Sequence, residues 1–96
     1  MHEIAEKIGV PAVLEQAAEE CAELDQACLK LSRKLRGENP TPVDMMTLLD
    51  QVCEEIADVE VCIEAIKSSG LLNTKYIDKN REEKIKRWKK RLNIEE

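Results

Sequence analysis

Aromatic side chains are nearly missing from this 96-residue chain, which has one Trp, one Tyr and no Phe. A core built from it must therefore be aliphatic. Small aliphatic residues together with Glu and Lys are the composition of a helical bundle. Histidine is just as scarce, with a single copy near the N-terminus, and no C-x-x-C spacing occurs. A zinc site of the usual ligand spacings is thereby excluded. Nor is a ferritin-like di-iron centre expected, since it needs Glu-x-x-His on two helices. No apolar run approaches the ~20 residues of a membrane span, so no membrane partner is expected. No Gly-rich phosphate loop is present either. The formal net charge of -5 argues against a general nucleic-acid binder. The opening Met-His-Glu-Ile-Ala-Glu-Lys is not a signal peptide, and a cytoplasmic location is the default expectation. The four cysteines, Cys21, Cys28, Cys53 and Cys62, fall within helical apolar patterns and read as reduced thiols packed as small hydrophobes.

What the chain does contain is helical periodicity over one small domain, residues 1–96. A short helix is expected from about His2 to Ile8, stopped by Gly9, and Pro11 suits the first residue of a longer one. From there Leu14, Ala17, Cys21, Leu24, Cys28, Leu31 and Leu35 step by three and four, forming an apolar stripe. Arg33, Lys34 and Arg36 suit the negative end of the helix dipole, and Gly37 ends it. The loop Gly37–Pro42 follows, with Thr41 and Pro42 as the next start and Asp44 in the first turn. A second stripe runs through Met45, Leu49, Val52, Ile56, Val59, Ile63 and Ile66 and stops near Ser68-Ser69-Gly70. A third helix is expected from Asn73 or Thr74 to about Leu92, with fewer apolar positions: Ile77, Ile85, Trp88 and Leu92. The predicted fold is all-α: two long antiparallel helices, joined by a short loop, plus a shorter third helix. Apolar residues off the stripes (Val13, Ala18, Ala22, Leu29, Cys53, Val61) are more than one partner helix can cover. A four-helix-bundle core across a dimer would cover them.

One phrase occurs twice. Residues 19–24 read Glu-Glu-Cys-Ala-Glu-Leu, and residues 54–59 read Glu-Glu-Ile-Ala-Asp-Val. Glu20 with Glu23, and Glu55 with Asp58, are each three apart and share a helix face. Each of the four lies one residue before a stripe position, so both pairs are turned by about 100° in the same sense from the stripe. If the long helices pack, four carboxylates can meet at the edge of the core. Such a cluster repels itself unless a cation sits within it, and oxygen donors select a hard divalent ion, Mg²⁺ or Mn²⁺. The alternative is a set of solvated Glu-rich helix faces, which pattern alone does not exclude. On the third helix Asn80, Lys84, Arg87 and Arg91 step by four, three and four, and a row of cations facing a carboxylate-bound ion is what a polyphosphate needs. A surface stripe of salt bridges is the plainer reading of the same row.

Glu19-Glu20-x-x-Glu23, followed after a 31-residue spacer by Glu55-x-x-Asp58, resembles the signature of the MazG-like all-α nucleoside triphosphate pyrophosphohydrolases. The loop Arg36-Gly-Glu-Asn-Pro-Thr-Pro-Val43 is similar to the inter-helix loop of small phage-type members, and the basic third helix fits them too. The resemblance spans roughly Leu14 to Leu92. It implies Mg²⁺-dependent hydrolysis of a nucleoside or deoxynucleoside triphosphate to the monophosphate and pyrophosphate. It also implies a homo-oligomer, dimer or tetramer. Glu20, Glu23, Glu55 and Asp58 match the family's metal ligands, and the resemblance implies that they carry the catalysis. Lys84, Arg87, Arg91 and Asn80 are the substrate-binding candidates on the third helix. Gln16, one turn before Glu20, is a candidate nucleobase or sugar contact; Glu19 and Glu54 are candidates for the general base or for supporting the ligands, with solvated helix positions the favoured reading of both. Aromatic residues that stack the base in some relatives have no clear counterpart. Two other classes are compatible with the sequence: a non-catalytic helical dimerisation module, and a nucleotide sensor that holds metal without turnover.

Overall fold

Three glycines with positive φ and two polar caps divide the chain into helices. The computed structural model describes residues 3–37 and 42–94, which form α1 (Glu3–Ile8), α2 (Val10–Arg36), α3 (Met45–Ser68) and α4 (Thr74–Arg91) and contain no strand. Gly9 separates α1 from α2 with φ 88° and ψ 151°, a conformation essentially restricted to glycine. Pro11 then sits in the first turn of α2, where its missing N–H costs nothing. At the other end Gly37 adopts the left-handed conformation and its N–H donates to the Arg33 carbonyl at 3.0 Å.

The start of α3 differs from expectation. Asp44 is the cap itself, not a first-turn residue: its carboxylate accepts the Thr47 N–H at 2.8 Å. That bond, a second from the Thr47 side chain and the nearby Lys34 cation hold the Asp44 carboxyl below its ordinary range. His2 and Thr41, expected at helix starts, lie outside the described residues. At the far end the Ser69 hydroxyl donates to the Ile66 carbonyl at 2.6 Å and accepts the Leu71 N–H at 3.2 Å. Asn73 caps α4 by accepting the Tyr76 N–H at 3.1 Å. The end of α4 folds back, with the Ile94 N–H donating to the Lys89 carbonyl at 2.9 Å and Asn93 at φ 57°.

The two long helices pack as an antiparallel hairpin, with α1 folded back on both. On α2 the packed face is Val13, Ala17, Glu20, Leu24, Ala27 and Leu31; on α3 it is Leu48, Val52, Glu55, Val59, Cys62 and Ile66. These rows keep Ala17, Leu24 and Leu31, and Val52, Val59 and Ile66, of the expected stripes. Val13, Glu20 and Ala27 replace Leu14, Cys21 and Cys28, and Leu48, Glu55 and Cys62 replace Leu49, Ile56 and Ile63. The interface is thus turned toward the acids, and one flank of each stripe is left in solvent. Leu14, Leu35, Leu49, Ile56 and Ile63 are 41–66% exposed. The reason is geometric: the stripes are wider than the seam one helix pair needs. Cys62 is buried as expected, but Cys21, Cys28 and Cys53 are exposed on the open flanks, and all four thiols are free.

The fully buried core among the described residues is small: Ala5, Val13, Ala27, Leu48, Val59, Cys62 and Ala65. Ala5, Val13 and Ala65 lock α1 into the hairpin, with Ile66 packed against them. α4 has no buried residue. The molecule is a plate of 44 × 37 × 16 Å, and 37 Å is far wider than the ~20 Å of a helix pair, so α4 extends away from the hairpin.

Candidate functional site

Placing Glu20 and Glu55 in the seam of the hairpin brings their partners with them, because a residue three further along shares the face. Glu20, Glu23, Glu55 and Asp58 each offer a carboxylate oxygen, and the four oxygens lie within 4.8 Å of one another. Glu20 and Glu55 are half-buried, while Glu23 and Asp58 are exposed. The site therefore has an inner pair and an outer pair. The two copies of the repeated phrase supply one of each.

Its electrostatics are unfavourable as it stands. Oε2 of Glu20 and Oε2 of Glu55 are buried and have no hydrogen-bond partner. An unsatisfied buried carboxylate oxygen is costly, and two of them side by side need an explanation. Burial pushes the Glu55 carboxyl above its ordinary value; the Glu23 charge, a side-chain hydrogen bond with Glu23, and the charges of Asp58 and Glu20 push it in the same direction. Next to the cluster, burial raises the Cys62 thiol, helped by the negative charges of Glu20 and Asp58 and by Cys21. The donors are all carboxylate oxygens, and 4.8 Å is about twice the ~2.1–2.4 Å metal–oxygen distances of Mg²⁺ and Ca²⁺. The residues fit a hard divalent cation.

Gln16 lies against the cluster, as its spacing suggests. Its Nε2 donates to Glu20 Oε1 at 2.8 Å, so it orients a carboxylate. That leaves Oε2 as the free oxygen of Glu20. Glu19 and Glu54 are both exposed.

Three residues absent from the expected site line a cleft of about 290 Å³ that opens from it: Gln26, Lys30 and Gln51, with Glu23, Ala27, Glu54 and Glu55. Helical spacing could have found them. Gln26 and Lys30 lie three and seven residues after Glu23, and Gln51 lies four before Glu55, all on the same faces.

The basic row of α4 is not joined to the cluster within the chain. Lys84, Arg87 and Arg91 line an open trough with Trp88 and Lys90, and no acid of the cluster borders it. Asn80 is not among these lining residues; its Nδ2 donates to the Tyr76 carbonyl at 2.8 Å.

Compared with models of known protein families, with characterised proteins and with solved structures, the chain matches none. The all-helical hairpin and its four-carboxylate cluster are thus the basis for reading function. No helix among the described residues is long and apolar enough to cross a membrane.

Proposed function

We propose that the protein is a Mg²⁺-dependent nucleoside triphosphate pyrophosphohydrolase of the MazG-like kind. The observation that carries this reading is the meeting of Glu20, Glu23, Glu55 and Asp58, with two buried oxygens that lack any partner. Surface acids repel and separate; these converge, and an ion is the partner their unpaired oxygens lack. Mn²⁺ satisfies the same donor set.

A bound ion would supply Lewis-acid polarisation and charge neutralisation to the phosphates. The chain's own residues do the rest. Glu20 and Glu55 act as the inner anchors, and Gln16 keeps Glu20 from rotating its free oxygen away. Glu23 and Asp58, at the solvent side, position a water and accept its proton. The water oxygen bonds to the α-phosphorus, the bond from that phosphorus to the bridging oxygen of the β-phosphate breaks, and monophosphate and pyrophosphate leave.

The reading extends to a homo-oligomer. The exposed flank residues recur at intervals of seven: Leu14, Cys21, Cys28 and Leu35 on one helix, Leu49, Ile56 and Ile63 on the other. That is the spacing of a helix–helix seam with nothing yet packed in it. A second copy of the hairpin would turn two helices into a four-helix core and add to the small buried set of the described residues.

The test is a panel of deoxynucleoside and nucleoside triphosphates with Mg²⁺, assayed for pyrophosphate and monophosphate. Release of both in equal amounts, abolished by EDTA, is the expected result. Release of orthophosphate, or of nothing from any nucleotide, overturns the proposal.

A further inference from the structure

The trough on α4 contains a group that a purely phosphate-binding row does not need. Trp88 is the sole tryptophan of the chain and is 63% exposed. It shares the trough with Lys84, Arg87, Lys90 and Arg91, in a space of about 770 Å³. Lys84, Arg87, Trp88 and Arg91 are three, four and seven apart, so an indole lies among cations on one helix face. An aromatic plane stacks a nucleobase regardless of its identity, and the surrounding cations meet phosphates.

We infer that this trough is a capture site for nucleoside triphosphates, with Trp88 as the base-stacking platform and Lys84, Arg87 and Arg91 as the phosphate contacts. The inference rests on the hydrolase reading and adds to it a source of base affinity. The sequence shows no other candidate for stacking except Tyr76, which lies outside the trough.

Size and charge both favour a free nucleotide over a polymer. Lys84 to Arg91 is a rise of seven residue steps along the helix, about 10 Å, the length of one nucleotide rather than several. α4 holds nine Lys and Arg against three acids, which leaves the rest of the chain with six cations and seventeen acids. The net negative charge of that remainder opposes a long polyanion more than it opposes a single triphosphate. A triphosphate is short enough to stay on the basic helix.

Trp88 is also its own reporter. We would titrate the full-length protein in EDTA, so that the metal-dependent step is silent, and follow its fluorescence. Deoxynucleoside triphosphates should quench it saturably, with an affinity that falls as salt rises. Inorganic tripolyphosphate should bind on the order of tenfold more weakly, because it cannot stack. Arg87→Ala should weaken nucleotide binding several-fold with helicity unchanged. By equilibrium dialysis, Trp88→Leu should reduce nucleotide affinity to that of tripolyphosphate, and Trp88→Phe should restore most of the difference.

Equal affinity for nucleotide and tripolyphosphate would mean a plain anion surface and would overturn the inference. So would tighter binding of a dodecamer of dT than of the triphosphate. If Mg²⁺-dependent pyrophosphate release requires Glu55 while nucleotides leave Trp88 fluorescence unchanged, the capture site is wrong and the hydrolase reading stands. Saturable quenching without pyrophosphate release from any nucleotide would remove the hydrolase reading and leave the trough a nucleotide site.

Discussion

Glu55 is where the local physics is most consequential. It is half-buried, one of its oxygens has no partner, and three other carboxylates face it. Its carboxyl is raised above the ordinary 4.5, so the folded state resists its ionisation. A raised carboxyl has a definite sign in linkage: ionisation costs stability as pH rises from the unfolded value through the folded one, and the cost persists above it. In metal-free buffer at neutral pH, Glu55→Gln should therefore have a higher thermal midpoint than the parent. That gain should vanish below pH 4.5, where the carboxyl is protonated in both states. Millimolar Mg²⁺ should reverse the order, because a ligand that binds only the folded state stabilises it by mass action. Thermal melts of both proteins, with EDTA and with Mg²⁺, would show this. An equal Mg²⁺ shift in parent and variant would place the ion elsewhere.

The remaining acids divide by the same reasoning. Replacing Glu20, Glu23, Glu55 or Asp58 by Ala should each lower pyrophosphate release by orders of magnitude with the circular dichroism of a helical protein retained. Glu15, Glu60 and Glu64 are exposed on the same two helices and outside the cluster. Their Ala variants should stay within a few-fold of the parent, since solvated helix carboxylates are worth a fraction of a kcal/mol, ~0.3–0.5.

Among the elements, α3 concentrates the informative contrasts. Leu48 is 1% exposed and its neighbour Leu49 is 41% exposed, although both are leucines on one turn. Leu48→Ala should cost about 2–5 kcal/mol in urea denaturation, the range for emptying a buried leucine site. Leu49→Ala should leave the hairpin intact and act instead on association, visible as a weaker concentration dependence of the thermal midpoint.

The cap of α3 has its own pH dependence. Asp44 is held below the ordinary carboxylate range by the Thr47 bonds and by Lys34. A depressed carboxyl contributes stability that is present above the unfolded value of 3.8 and is lost as pH falls through the folded one. The urea midpoint of Asp44→Ala should lie below that of the parent at pH 7. The gap should begin to narrow beneath pH 3.8 and close as the pH falls through the lower folded value, with added salt narrowing it only slightly, because the main contribution is a hydrogen bond.

At the scale of the whole molecule, the balance of buried and exposed apolar side chains is what stands out. Among the described residues seven are buried, none of them aromatic, while Leu14, Ile56, Ile63, Leu71, Trp88 and Leu92 remain at least two-fifths exposed. A 96-residue plate with such a core is marginal alone. Sedimentation equilibrium at micromolar concentration should find an oligomer, and Ile56→Glu, on the open flank of α3, should shift it toward monomer. The exposed thiols give an independent check. Cys21 and Cys28 should react slowly with a maleimide in the parent and quickly in Ile56→Glu, since association covers the flank that carries them. Fast labelling in both would mean that this face is not the interface.

Helix content, helix ends and the composition of the carboxylate cluster were legible in the sequence because each rests on local spacing. Steps of three and four define a helix face whatever packs on it. Gly9, Gly37 and Gly70 mark boundaries because their positive φ suits no other residue well. Glu20, Glu23, Glu55 and Asp58 share a register that one repeated phrase reveals. Only the tertiary structure decided which flank of each apolar stripe is buried. Leu14 and Val13, or Ile56 and Glu55, are equally compatible with helical periodicity, and the choice depends on the rotation of one helix against the other. That rotation put Glu20 and Glu55 into the seam, gave Gln16 the task of holding a carboxylate, and opened the cleft at Gln26, Lys30 and Gln51. It also separated the basic row of α4 from the acids within one chain. Where a helix points once its capping loop has turned depends on contacts between distant residues, which spacing along the sequence does not record.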